Sequence, residues 1–197
     1  MKYKILFITY FFLSGCSFGI IDHTHEIKHT KTIEQCYSIK KSSFLYEARC
    51  ADLNSKAFGN STFCTGIQAF DPMPYNGYDF KYPISWEEYI YQKEKWDLKL
   101  FNKLLFEKQR SMIAPIDIDT KIKIIGIYEY PRGETGHVLI VRAKIISGEF
   151  EGTEIELPSP GGFSDTGPSW SKQWFYKPDK NIKFSDEFMQ ECSDSSQ

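Results

Sequence analysis

Apolar side chains fall along the chain in three kinds of run: one unbroken, several alternating, and one recurring at helical spacing. The alternating runs are clearest between residues 121 and 157. Lys121 to Tyr130 is rich in Ile, with Gly126 inside it where a strand can bend or bulge. His137 to Ile146 puts Leu139, Val141, Ala143 and Ile145 on one face and Arg142 and Lys144 on the other. Thr153, Ile155 and Leu157 then alternate with Glu154 and Glu156. Turn residues at Pro131 to Gly136 and Ser147 to Gly152 separate the three runs, predicting an antiparallel meander. Upstream, Phe44 to Cys50 and Phe63 to Phe70 read as two more strands around a polar loop containing Gly59-Asn60. The helical run opens at Ser85-Trp86-Glu87-Glu88, a capping box behind Pro83. Trp86, Tyr89, Ile90, Trp96, Leu100 and Leu104 recur on one face, which predicts a long amphipathic helix to about Arg110, stopped before Pro115. Its aromatic stripe is expected to be core. Ser185 is placed to cap a short final helix carrying Cys192.

The unbroken run is Ile5 to Leu13, behind Lys2 and Lys4. Nine helical residues span roughly 14 Å, half a hydrocarbon core, which fits a signal segment and not a membrane span. It ends in Leu13-Ser14-Gly15-Cys16, and here the chain resembles the bacterial lipoprotein signal. That resemblance implies a diacylglycerol on the Cys16 thiol, cleavage before Cys16 and acylation, such as by palmitate, of the new amino group. Several acyl chains anchor far more durably than one. Ser17 rather than Asp follows, which by the same resemblance favours the outer membrane, facing the periplasm. The expected organisation is a cleaved signal over 1–15, a lipidated Cys and polar tether over 16–32, one globular domain over 33–192, and a frayed tail over 193–197. No other stretch approaches the ~18 apolar residues of a membrane span.

With Cys16 assigned, Cys36, Cys50, Cys64 and Cys192 remain. An even count in an oxidising compartment reads as two disulfides, with three possible pairings. Cys50–Cys64 is preferred because it would cross the mouth of a strand–loop–strand unit, leaving Cys36–Cys192 to tie the start of the fold to its end. The expected fold class is therefore α+β: a small antiparallel sheet with one long amphipathic helix, disulfide-stapled. The meander's spacing looks like an OB-type barrel, a likeness that carries no function.

Charge narrows the partners. Twenty-four basic side chains stand against 26 acidic ones, so there is no electrostatic footprint for nucleic acid. Nothing in the chain calls for a cofactor.

The sharpest chemical motif is His25-Glu26-Ile27-Lys28-His29, which resembles the H-E-x-x-H helix of zinc peptidases. By that resemblance His25 and His29 would bind zinc and Glu26 would activate water, with Glu47 a conceivable third ligand. Its neighbours Asp22, Thr24, Thr30, Lys31 and Thr32 are polar, so a solvated tether is the expected state, with incidental Zn or Cu binding by His23, His25 and His29 the other option. His137 beside Glu134 is expected to face solvent, and Asp117, Asp119 and Asp165 to make turns. Aromatics in irregular stretches, chiefly Tyr75, Tyr78, Trp170 and Trp174, are either barrel-end core or a partner-binding surface. The expected function is a non-enzymatic, lipid-anchored envelope protein that binds a protein or peptidoglycan partner. The other readings are an immunity or inhibitor lipoprotein acting on a periplasmic toxin or wall-degrading enzyme, and a zinc hydrolase.

Overall fold

The computed structural model describes residues 19–54, 61–70, 83–97, 109–133, 136–158, 169–173 and 175–193. Within them lie nine strands: β1 (Ile21–Asp22), β2 (Cys36–Ile39), β3 (Ser43–Ala51), β4 (Ser61–Ala69), β5 (Gln109–Ile116), β6 (Lys121–Gly133), β7 (Gly136–Ile145), β8 (Glu154–Glu156) and β9 (Met189–Glu191). They form one sheet in the order β5-β3-β4-β8-β7-β6-β2-β9, with β1 paired to β6 beside that path.

The β6–β7 hairpin is the spine. Ile124 pairs with Ala143 and Gly126 with Arg142, so Ile125 is the extra residue of a bulge at the place the glycine marks. Ile122 and Ile124 are buried before it, and Ile127 and Glu129 are buried after it. On β7, Leu139, Val141, Ala143 and Ile145 are buried as the alternation predicts. Arg142 turns outward to an ion pair with Glu156 of β8 at 3.0 Å. These side chains, with Trp170, Ile155 and Phe188, make the main core. A second core of Phe44, Tyr46, Phe70, Tyr89, Trp96 and Met112 packs the helix against β3 and β5.

The barrel-like expectation is corrected: the sheet is open, running from β5 to β9. Its antiparallel halves meet through one parallel pair, Gly66 with Glu156. At one end β5 carries Pro115, which cannot donate to a further ladder, and at the other β9 is three residues long. The long helix is also corrected. Helix α1 covers Trp86–Tyr91, with a further helical stretch at 93–97, and residues 98–108 lie outside the described chain. The predicted end at Arg110 is strand, because Gln109 to Ile116 pairs with β3 and that ladder outweighs local helix propensity. Ser85 does cap α1, its hydroxyl accepting from Glu88 N at 3.2 Å. The final helix is likewise replaced. Ser185 O accepts from Phe188 N and Met189 N in a single turn, after which β9 pairs with β2.

Both disulfides pair as preferred, Cys36 with Cys192 (Cα–Cα 5.4 Å) and Cys50 with Cys64 (Cα–Cα 5.9 Å). The polar tether differs from its expectation over its described part. Residues 21–32 are folded onto β6, with His23, His29 and Thr32 buried. Among the described residues no helix is long and apolar enough to cross a membrane.

Two stability tests follow from this packing. Tyr46 lies directly over its ladder partner Gly66, and a Cβ there would fall inside the ring. Gly66→Ala should therefore cost ~1–3 kcal/mol in urea unfolding. Gly126→Ala should cost less, because the half-buried Tyr128 ring above it can swing toward solvent. The Cys36–Cys192 bridge spans 156 residues and Cys50–Cys64 spans 14. Replacing the first pair by serine should lower the unfolding midpoint more than replacing the second, by ~2 kcal/mol in the chain-entropy account.

Candidate functional site

A carboxylate on the inward face of a strand has to find partners. Glu129 on β6 is 4% exposed and follows the buried Ile127. Its Oε2 lies 2.7 Å from His23 Nε2, and its Oε1 meets His137 Nδ1. The other nitrogen of His23, Nδ1, is 2.5 Å from Glu26 Oε1. Both His23 nitrogens thus face carboxylate oxygens.

Backbone pairing puts these groups in place. Ile21 and Asp22 pair with Glu129 and Tyr128, and His23 N donates to Ile127 O at 2.9 Å. Thr24 Oγ1 accepts from Ile127 N, and Asp22 Oδ1 accepts from Thr24 N, turning the chain back. The turn closes as His29 N donates to Glu26 O at 2.8 Å. From the other side, Tyr176 N donates to His137 O and Phe175 bridges to Val138. Tyr176 stacks on His23 with ring centroids 3.9 Å apart, and its hydroxyl donates to Glu26 Oε2 at 3.0 Å. Lys28 Nζ sits 2.8 Å from the same oxygen and 4.8 Å over the Tyr176 ring, and donates to Pro178 O. The Lys28 ammonium and then the His23 imidazole hold the Glu26 carboxyl down at about 2.

The H-E-x-x-H segment is therefore ordered, but not as a metal-binding helix. Ile27–His29 is a single 3-10 turn, so the two histidines are not stacked on one α-helical face. His25 is exposed, whereas His29 is fully buried, edge-on to Tyr176. Neither His29 ring nitrogen has a hydrogen-bond partner, and Nε2 is 3.9 Å from Glu26 Oε2. Burial, then the Lys28 charge, pushes the His29 imidazole down. Glu47 is exposed on β3. Among the described residues one three-donor group lies within 4.8 Å, Cys50, Cys64 and Glu156, and its two sulfurs are bonded to each other.

The other predicted residues separate. Of the two readings for Trp170 the structure shows core and not a partner-binding surface: it is fully buried, its Nε1 donates to Gln68 Oε1 at 3.1 Å, and it stacks on Phe188. Tyr75, Tyr78, Trp174, Glu134 and Asp165 lie outside the described residues. Asp119 makes the expected turn with φ 70, and His137 is exposed. The groups that sequence reasoning missed are Glu129 and Tyr176, and the pairing of His23. The available signal was a charged residue two places after an inward Ile in the most apolar strand. Away from this cluster, a recess of about 240 Å³ is lined by Tyr37, Lys172, Ile182, Phe184, Asp186 and Met189. Burial, then Glu191, pushes the Tyr37 phenol up to about 12.

What the cluster does chemically is hold charge. Glu26–His23–Glu129–His137 is an alternating chain that ends at an imidazole 61% exposed to solvent, oriented by the carboxylate behind it. Comparison with protein-family models, curated proteins and solved structures finds no match to this chain.

His23→Ala takes one of the two side-chain partners from the buried Glu129 and the stacked ring from Tyr176, so it should cost ~1–3 kcal/mol in urea unfolding. Acid sensitivity should come in two windows. The His29 imidazole is lowered from 6.5 by burial, so the unfolded chain takes its proton first. Its contribution is complete above about pH 6.5 and declines as pH falls below that, and His29→Phe should flatten this part of a pH–stability curve. Glu26 is lowered from 4.5 to about 2, so its contribution is present above pH 4.5 and lost as pH falls toward 2. Glu26→Gln should remove that second decline, by a small amount because the side chain is 41% exposed.

Proposed function

We propose that this chain is a lipid-anchored envelope protein whose disulfide-stapled sheet domain acts by binding a partner in the periplasm, without chemistry of its own. The observation that carries the reading is how the polar cluster spends its groups. Lys28, Tyr176, His23 and Glu129 satisfy one another and fasten three segments together, the use expected of a scaffold. The disulfides support the compartment: four cysteines are paired with each other, which leaves Cys16 in its lipobox as the thiol available for acylation. Exposed apolar side chains favour a protein partner over a polar glycan. Phe63 on β4, Ile113 on β5, and Ile84, Ile90 and Tyr91 at α1 all stand out at one end of the sheet.

The test is in two parts. Growth with labelled palmitate should give a membrane-bound chain that carries the label, and Cys16→Ala should lose both label and membrane fractionation. The purified chain should then retain a stoichiometric protein from the envelope, with Tyr91→Glu weakening retention at least tenfold. Retention of peptidoglycan sacculi and no protein would replace the protein partner by a cell-wall one, and turnover of a substrate would refute the binding reading.

A further inference from the structure

We infer that the end of the sheet carrying β1 rests directly on lipid headgroups, with an anionic phospholipid surface as its partner. This builds on the lipid-anchor reading above. Sequence alone places a polar spacer between Cys16 and the domain, holding the two apart. In the fold, Ile21 is already paired with Glu129 on β6. Five residue steps from Cys16 reach at most about 17 Å when fully extended. The headgroup layer on each side of a bilayer is about 6 Å thick, so even full extension lifts the start of β1 no more than about 11 Å above it.

Strand direction says which surface faces the bilayer. β1 is antiparallel to β6, with Ile21 opposite Glu129 and Asp22 opposite Tyr128. The preceding residues therefore approach from the Tyr130 side, where β6 turns into β7. The same end of the sheet gathers two other segments. Tyr176 N donates to His137 O at the foot of β7, and Lys28 Nζ reaches Pro178 O at 2.6 Å. Residues 23–31 and 175–180 are thus one surface. Lys31, Lys177 and Lys180 are exposed on it, against Asp22 and Asp179, while Glu26 is already neutralised by Lys28. Such a surface does not repel anionic headgroups, and Ile21 adds an apolar side chain 38% exposed where the chain arrives. Helix α1 packs on β3 and β5, four strands along the sheet from β6, roughly 19 Å away at the usual spacing. Lys93 and Lys95, in the helical stretch that follows it, are the internal reference.

The experiment is lysine footprinting of the acylated full-length chain on vesicles of phosphatidylethanolamine and phosphatidylglycerol. A water-soluble acylating reagent is read out by mass spectrometry, with the non-lipidated Cys16→Ser chain free in solution as comparison. Modification of Lys31, Lys177 and Lys180 should slow several-fold on vesicles relative to the exposed Lys93 and Lys95 of the helical segment. Equal rates at all five lysines on an acylated, vesicle-bound chain would overturn the inference and leave the anchor standing. Protection of Lys93 and Lys95 as well would also overturn it, because the contact would not be confined to the β1 end. A mature chain with no acyl group on Cys16 would overturn both.

Discussion

One buried carboxylate organises this half of the molecule. Glu129 sits on the core side of β6, where an unpaired charge would cost several kcal/mol. Its two oxygens take two imidazoles from opposite directions, His23 from the N-terminal segment and His137 from the neighbouring strand. His23 in turn brings Glu26, and Glu26 brings Lys28 and Tyr176. A segment of polar composition, with few apolar side chains to bury, is thereby fastened to the sheet by charge and backbone pairing rather than by the hydrophobic effect.

That fastening changes what the N-terminal region is for. A loose tether would leave the domain at a distance from Cys16 set by chain statistics. A segment pinned from Ile21 onward sets the domain's position against whatever holds Cys16. The two disulfides act on other parts of the sheet, Cys36–Cys192 joining β2 to the residue after β9, and Cys50–Cys64 crossing the β3–β4 ladder. The β6–β7 end is held by the ionic cluster instead. Of the large apolar residues left exposed, Phe63, Ile84, Ile90, Tyr91 and Ile113 lie on β4, on β5 and at the helix, whereas Ile21 lies on β1 and Ile118 in the turn before β6.

The strands and the disulfide pairing were legible in the chain because the hydrophobic period is local and four cysteines leave few pairings. Leu139, Val141, Ala143 and Ile145 alternate, Gly126 marks its bulge, and Cys50 and Cys64 flank one turn. The helix was extended too far because no breaker falls before Pro115, whereas Gln109 to Ile116 is claimed by hydrogen bonding to β3. The barrel was overread because strand spacing carries no information about whether the outer strands meet. Trp170 in its irregular stretch could be core or contact by sequence, and only the packing against Gln68 and Phe188 decides for core.

The cluster itself was hidden for a physical reason. A bulge shifts the two-residue period by one, so whether Tyr128 or Glu129 faces inward depends on which residue is extra. His23 and Glu129 are 106 positions apart, and Tyr176 is 150 from Glu26, separations at which sequence patterns do not report contact. Hydrophobic period and short-range chemistry act over a few residues, so the strands and the pairing of four cysteines could be read from the chain. The tertiary structure alone decided that the sheet stays open, that the supposed tether is part of the fold, and which acid is buried. Those outcomes depend on long-range pairing and on the requirement that a charge taken from water be matched.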